Sequence, residues 1–170
     1  VNHLRESAYL RLVSVKWPLP FEYAGRDVQV GQGWVVRDGT DMVVFAYGPW
    51  LLANAFEAAQ VVEQAVGARI RLVNLPWLNR VEKAWLAAAI GECRSIVTLD
   101  NHYVHGGQGE MLAAAVAELG LEPTARVMRV GVSELPACGT NDEVMAYHRL
   151  DVASLAEALR GVATAGQTPV

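Results

Sequence analysis

The sequence has little cysteine, no run of basic residues and no long apolar stretch, and each shortage removes a class of protein. Two cysteines, Cys93 and Cys138, in 170 residues are too few for a disulfide scaffold and fit reduced thiols in a cytoplasm. The 14 Lys and Arg are scattered among 18 Asp and Glu, giving a net charge of −4, so neither nucleic acid nor an anionic membrane is an expected partner. No apolar run approaches the roughly 20 residues of a membrane span. The opening VNHLRESAYL lacks the charged-then-apolar layout of a signal peptide. Neither G-x-G-x-x-G nor G-x-x-x-x-G-K-S/T occurs, which removes the two commonest nucleotide fingerprints. What remains is a chain with 52% hydrophobic and 19% charged residues, the composition and length of one ordered domain with a full core.

The most informative stretch runs from Ile96 to Leu119. Ile96, Val97, Thr98 and Leu99 read as a buried strand. Asp100 to Gly109 then supplies two histidines, an acid, two amides and three glycines. From Glu110, apolar residues recur at helical spacing (Met111, Leu112, Ala115, Val116, Leu119). Strand, glycine-rich loop, helix is the unit with which open α/β sheets place functional loops at the carboxyl ends of strands.

The rest of the chain repeats this grammar. Ala8–Val15 alternates imperfectly and reads as a strand, followed by the aperiodic KWPLPFEYAGRD, whose Pro18 and Pro20 forbid regular helix and mark a linker ending near Asp27. Strands are expected at Gly33–Arg37, Met42–Tyr47, Arg69–Leu75 and Ala125–Val132. Helices are expected over Leu51–Val66, from a box-like Asn79 and Glu82 to Ile90, from Thr140 with Glu143 to about Arg149, and after Asp151. Leu150 and Leu155 are placed for a hydrophobic staple across that last cap. Strands alternating with helices predict a mostly parallel sheet covered on both faces. The tight Asp38-Gly39 turn predicts that the first strand pairs antiparallel with the second. Beyond Arg160 the small, polar sequence reads as a fraying tail.

Candidate chemistry is sparse. His102 and His105, with Asp100 and Asn101, are too few for zinc unless His148, Cys93 or Cys138 joins them, and a polar contact loop is the better reading. Gly106, Gly107, Gln108 and Gly109 precede a helix and offer a weak phosphate cradle or a tight turn. Nothing marks either cysteine as an activated nucleophile. The residues alone therefore define an α/β domain without a self-sufficient active site: no catalytic, cofactor-binding or metal residues are assigned.

The stretches FAYGPWLLANAFEAAQVVEQ, RIRLVNLPWLN, IVTLDNHYVHGGQGEMLAAAVAE and GTNDEVMAYHRLDVASLAEALR resemble the C-terminal domain of transketolase-type thiamine diphosphate enzymes, including separately encoded C-terminal subunits and deoxyxylulose-phosphate synthase. The resemblance implies a three-layer α/β/α fold with a five-stranded, mostly parallel sheet whose first strand is antiparallel. It implies that residues 1–27 are the end of a preceding pyrimidine-binding domain plus linker, with Tyr9–Leu12 as its last strand. Residues 28–162 would be the transketolase C-terminal-like domain and 163–170 a flexible tail. Asp100, Asn101, His102, His105, Gly106, Gly107, Gln108 and Gly109 are the candidate interface loop, and the resemblance implies that Arg11 lies on the substrate side; relatives often carry an arginine where Ser14 stands here.

Thiamine diphosphate and magnesium would belong to the complete enzyme and not to this chain, because the Gly-Asp-Gly motif is missing, Arg37-Asp38-Gly39 is only a turn, and the activating glutamate would lie upstream of Val1. The implied role is a non-catalytic, cytoplasmic assembly domain of a ketol-transferring enzyme, inactive alone, acting in a homodimer or with a subunit carrying the thiamine diphosphate domains. Two other roles are the matching domain of a 2-oxo-acid dehydrogenase decarboxylase β subunit, and a free-standing module that binds a small anion or a partner.

Overall fold

In the computed structural model, residues 7–13, 16–22, 27–121 and 124–165 are described. The elements in chain order are β1 (Trp34–Arg37), β2 (Met42–Ala46), α1 (Pro49–Val66), β3 (Ile70–Asn74), α2 (Lys83–Ile90), β4 (Ser95–Tyr103), α3 (Gln108–Leu119), β5 (Arg126–Val132), α4 (Asn141–Tyr147) and α5 (Val152–Ala165). The five strands form one sheet in the order β1-β3-β2-β4-β5. β1 alone runs antiparallel, and the other neighbours are parallel. β2 lies at the centre and all five of its residues are buried, as expected of a parallel strand covered on both faces. On one face Val44, Leu72, Val97 and Leu99 pack with α1 and α5. On the other, Val43, Phe45, Val73 and Ile96 pack with α2 and α3. This is the three-layer α/β/α arrangement.

One expected pairing is corrected. β1 does not lie beside β2, although only a turn separates them; it pairs with β3. The turn itself crosses the start of β3. Thr40 and Asp41 both donate their amides to the Arg69 carbonyl, at 3.1 and 3.0 Å. Gly39 makes the crossing possible, since a Cβ there would lie 2.4 Å from the Ile70 carbonyl carbon. The chain thus steps over β3, and β2 emerges on its far side.

Several boundaries also move. Residues 7–13 form no strand, and Tyr9, Leu10 and Leu12 are largely in solvent; among the described residues no strand stands beside them to complete their backbone hydrogen bonds. Ser14 and Val15 lie outside the described residues. α2 begins later than the Asn79 signal suggests, because Glu82 is itself the N-cap, accepting from the amides of Ala84 at 2.9 Å and Trp85 at 2.6 Å. β4 runs on through Tyr103, so the first part of the expected loop is strand. α5 continues through Ala165 instead of fraying after Arg160, and 166–170 lie outside the described residues.

The capping box at Thr140 and Glu143 is present as read. Asp151 caps α5 through the amides of Ala153 and Ser154, and Leu150 and Leu155 are both buried. Burial works to raise the Asp151 carboxyl, but its hydrogen bonds to Ser154 and Ala153 outweigh that and hold it below its ordinary range. Asp151→Ala is expected to cost about 1 kcal/mol. The cap's contribution is full above the unfolded carboxyl value, about 3.9, and is lost as pH falls through the lower native value; denaturant melts at pH 7 and pH 3 check both. Asn54, which carried no signal in the sequence, is buried in α1 and donates to the Leu150 carbonyl at 3.0 Å, tying α1 to the α4–α5 joint.

The cysteines are both free. Cys93 is buried and Cys138 exposed. Burial pushes the Cys93 thiol up, and its sulfur rests 3.4 Å from the Thr40 carbonyl. Thiol titration of the native chain is expected to count one fast group, Cys138, and to count two once the chain is denatured.

Candidate functional site

The stretch from Asp100 to Gly109 divides into a buried half and an exposed half. Asp100, in β4 and fully buried, points its carboxylate at the start of α3. Its Oδ1 accepts from the Tyr47 hydroxyl and the Gln108 amide, each at 2.9 Å, and its Oδ2 accepts from the Gly109 amide at 2.9 Å. A carboxylate on the free amides of a helix N-terminus is the arrangement the helix dipole favours. Here the anion belongs to the chain itself. Glu110 takes the next donor in the same way, accepting from the Gly106 amide at 2.6 Å. The Tyr47 hydroxyl is held protonated far above its ordinary range, first by burial and then by the adjacent Asp100 charge.

The glycines serve closeness more than left-handed backbone. Gly107 has φ −84, not a positive value; a Cβ there would meet the Tyr103 carbonyl oxygen at 2.6 Å. At Gly109 a Cβ would lie 2.3 Å from Thr98 Oγ1 and 2.8 Å from Asp100 Oδ2. Gln108 is equally internal. Its Nε2 donates to the carbonyls of Leu75 and Trp77, both at 2.8 Å, and so fastens the connection after β3 to the head of α3.

The exposed half comprises His102, Tyr103, His105 and Gly106, while Asn101 is half-buried. His102 Nδ1 is 3.2 Å from the Tyr103 carbonyl, and its ring meets that of Tyr103 edge-on. Among the described residues no group of three His, Cys, Asp or Glu is placed to hold a metal ion. His148, the remaining histidine of that reading, is engaged elsewhere: its Nε2 accepts from the Ala137 amide at 3.1 Å. Arg11 Nη1 donates to Asn101 Oδ1 at 2.6 Å. That contact closes one side of a cleft of about 420 Å³ whose walls include Trp17, Trp50, Asn101, Asn141 and His148.

Tyr47 is the member that sequence reasoning missed. Tyr47 ends an apolar strand just before Gly48-Pro49, which is where a phenol with a buried ring and a polar tip belongs. That position is the only signal that marked it.

Fold and site together define an α/β/α domain whose loop glycines and buried acid are committed to shape. The family described as "Transketolase, C-terminal domain" matches residues 31–155, and the chain belongs to that family. Transketolase of Rattus norvegicus is 31% identical over 142 residues, which are 82% of this chain and 22% of that protein. An apulose-4-phosphate transketolase subunit of Actinobacillus succinogenes is 24% identical over 127 residues, 75% of this chain and 40% of that protein. A solved split-gene transketolase, described as an inactive β4 tetramer, superposes with a TM-score of 0.74 at 25% identity, over 86% of this chain and 47% of that one. The chain thus spans less than half the length of each. Among the described residues no helix is long and apolar enough to cross a membrane.

Proposed function

We propose that this chain is the non-catalytic assembly domain of a transketolase-like, ketol-transferring enzyme of the cytoplasm, joining a second copy or a subunit that carries the thiamine diphosphate domains. Residues 1–27 then belong to the preceding pyrimidine-binding domain and linker, and Arg11 stands on the substrate side of the complete enzyme. One observation carries the reading: the first α3 amides, which would hold an anion, are taken by Asp100, and the Gly106 amide before them by Glu110, whereas His102, Tyr103 and His105 face outward. The same observation weighs against a free-standing anion module.

The residues of this chain do not fit thiamine diphosphate and its magnesium. Asp38, the acid of the turn that comes nearest to a metal motif, accepts from the Gly39 amide at 2.9 Å and pairs with Arg71 Nε at 3.0 Å. Those bonds hold its carboxyl below the ordinary range. The cofactor would be bound by the domains that this chain joins, and no step of the reaction is assigned to residues here.

Changing His102 and His105 together to alanine tests the contact. Sedimentation against the catalytic subunit is expected to show association weakened by more than about 1 kcal/mol, at least about fivefold in Kd. The thermal melt should move by no more than about 0.5 kcal/mol, as for exposed loop positions. A double variant that melts far below the parent makes these side chains structural, and micromolar cofactor binding by the isolated chain in calorimetry with magnesium defeats the non-catalytic reading.

A further inference from the structure

β5 is an edge strand: among the described residues it pairs with β4 and nothing else. Arg126 donates its amide to the Arg94 carbonyl, and Val132 accepts from the Val104 amide, so the even-numbered residues turn their backbone groups toward β4. The amides and carbonyls of Val127, Arg129 and Gly131 therefore point away from the sheet. Side chains alternate along the same strand. Met128, Val130 and Val132 share the α1–α5 face with Arg126, and these three apolar residues are only half-buried. Val127 shares the α2–α3 face with Arg129. Beside Met128 the sheet is incompletely covered, leaving a groove of about 530 Å³ bounded across from it by Ala158, Gly161 and Val162 of α5. An edge of seven residues with half-buried apolar side chains is a template for another strand.

The edge is complementary to itself. Outward backbone groups must meet each other, so an antiparallel pairing about a two-fold axis sets odd residues against odd and even against even. An axis at Arg129 opposes that residue to its own copy, which the like charges disfavour. An axis at Met128 sets Arg126 against Val130 and Arg129 against Val127, and pairs no charges. An axis at Val130 sets Met128 against Val132, Val130 against itself, and Arg126 against Glu134, just past the end of the strand. The two-fold repeats the match of Arg126 with Glu134 at both ends. Both residues are exposed, and neither makes an ion pair among the described residues. On the other face Arg129 meets Gly131, which has no side chain to crowd it. Arg129 needs no partner from outside, having the Val104 carbonyl at 3.0 Å and the Glu110 carboxylate at 4.0 Å in its own chain.

We propose that two copies of this chain join along β5 in an antiparallel pairing centred on Val130, so that their sheets become continuous across the two-fold axis. Arg129 and Gly131 of each copy exchange backbone hydrogen bonds with Gly131 and Arg129 of the other. Val132 of one copy lies beside Met128 of the other and covers the near end of its groove. Arg126 and Glu134 close the pairing at both ends. The contact uses none of His102, Tyr103 or His105, so it stands independently of the role proposed for that loop.

Sedimentation velocity on the full chain is expected to show a dimer with a Kd in the micromolar range. Arg126→Glu and Glu134→Arg should each weaken it about tenfold, because every substitution is felt twice across the axis. The double variant restores the match in the reversed sense and should return the Kd to near the parent value. Cross-linking in a Cys138→Ser background reads the register. Val130→Cys should form an interchain disulfide on mild oxidation, since a non-hydrogen-bonded pair on the axis brings its Cα atoms to roughly 4.5 Å. Arg129→Cys should not. A monomer at millimolar chain, single variants that dimerise like the parent, a double variant no better than the singles, or cross-linking by Arg129→Cys in place of Val130→Cys overturns the proposal. A dimer lost when His102 and His105 become alanine but indifferent to the charge reversals overturns it as well, because the loop is then the contact.

Discussion

Replacing Asp100 with alanine is expected to destabilise the domain by about 4 kcal/mol, a loss on the scale of a small domain's whole stability. The carboxylate serves three donors (the Tyr47 hydroxyl and the amides of Gln108 and Gly109), and removing it leaves all of them without a partner in a site closed to water. Each stranded buried donor costs about 1 to 3 kcal/mol, partly offset by relaxation of the head of α3. Asp100→Asn preserves shape and one acceptor but turns an NH2 toward a donor, so its cost should fall near half. Tyr47→Phe removes a single partner and should cost about 1 kcal/mol. The parent also carries a signature of this cluster in alkali. Because the native Tyr47 phenol titrates far above its unfolded value, its stabilising contribution is full below about pH 10 and declines as pH rises beyond that. Urea melts of the three variants, with an alkaline series for the parent, measure the whole set.

Gly109→Ala is expected to rank next, at about 3 kcal/mol, although it adds one methyl group. That methyl must occupy space 2.3 Å from Thr98 Oγ1 and 2.8 Å from Asp100 Oδ2, and both residues are fixed in the buried centre of β4. Either the head of α3 withdraws and loosens its bonds to Asp100, or β4 shifts; overpacking of a closed core carries a cost of this order. Gly106→Ala is the control. Gly106 has the left-handed φ of +71 but open space around its Cβ position, so its cost should be limited to the backbone preference, about 1 kcal/mol. Paired thermal melts separate crowding from backbone strain, and a ranking with Gly106→Ala the worse would show that crowding is not what fixes Gly109.

Most of the fold was readable because its signals are local. The capping box at Thr140 and Glu143, the cap at Asp151 and the apolar face of α1 each act over a few residues and appear where the pattern puts them. What escaped was non-local. The exchange of β1 from β2 to β3 depends on how closely the Gly39 crossing approaches Ile70, and no spacing in the chain records that approach. The strand read at Ala8–Val15 has the right alternation, yet alternation specifies a willingness to pair and not the presence of a neighbour. The loop was read too widely, since β4 runs through Tyr103 and α3 begins at Gln108, and the division of that stretch into buried and exposed halves was not legible. Asp100 and Gln108 are polar letters that turn out to be internal braces, because their partners Tyr47, Leu75 and Trp77 come from connections 53, 33 and 31 residues away.

The path of β1 also governs the order in which the sheet can assemble. β3 and β4 can each zip onto an edge of β2 as soon as α1 and α2 fold, each helix returning the chain to one side of that central strand. β1 has no such freedom: among the described residues its only neighbour is β3, so it must wait, tethered to β2 by a short turn, until β3 has been laid down. It is then a late arrival in folding and, by reversibility, an early departure in unfolding. Residues 27–37 are also tied to the chain beyond β3, the Gln29 carbonyl accepting from Trp77 Nε1 at 2.7 Å and the Gly31 carbonyl from the Glu82 amide at 2.8 Å, so tension along this segment would load the head of α2 together with the β1–β3 pairing.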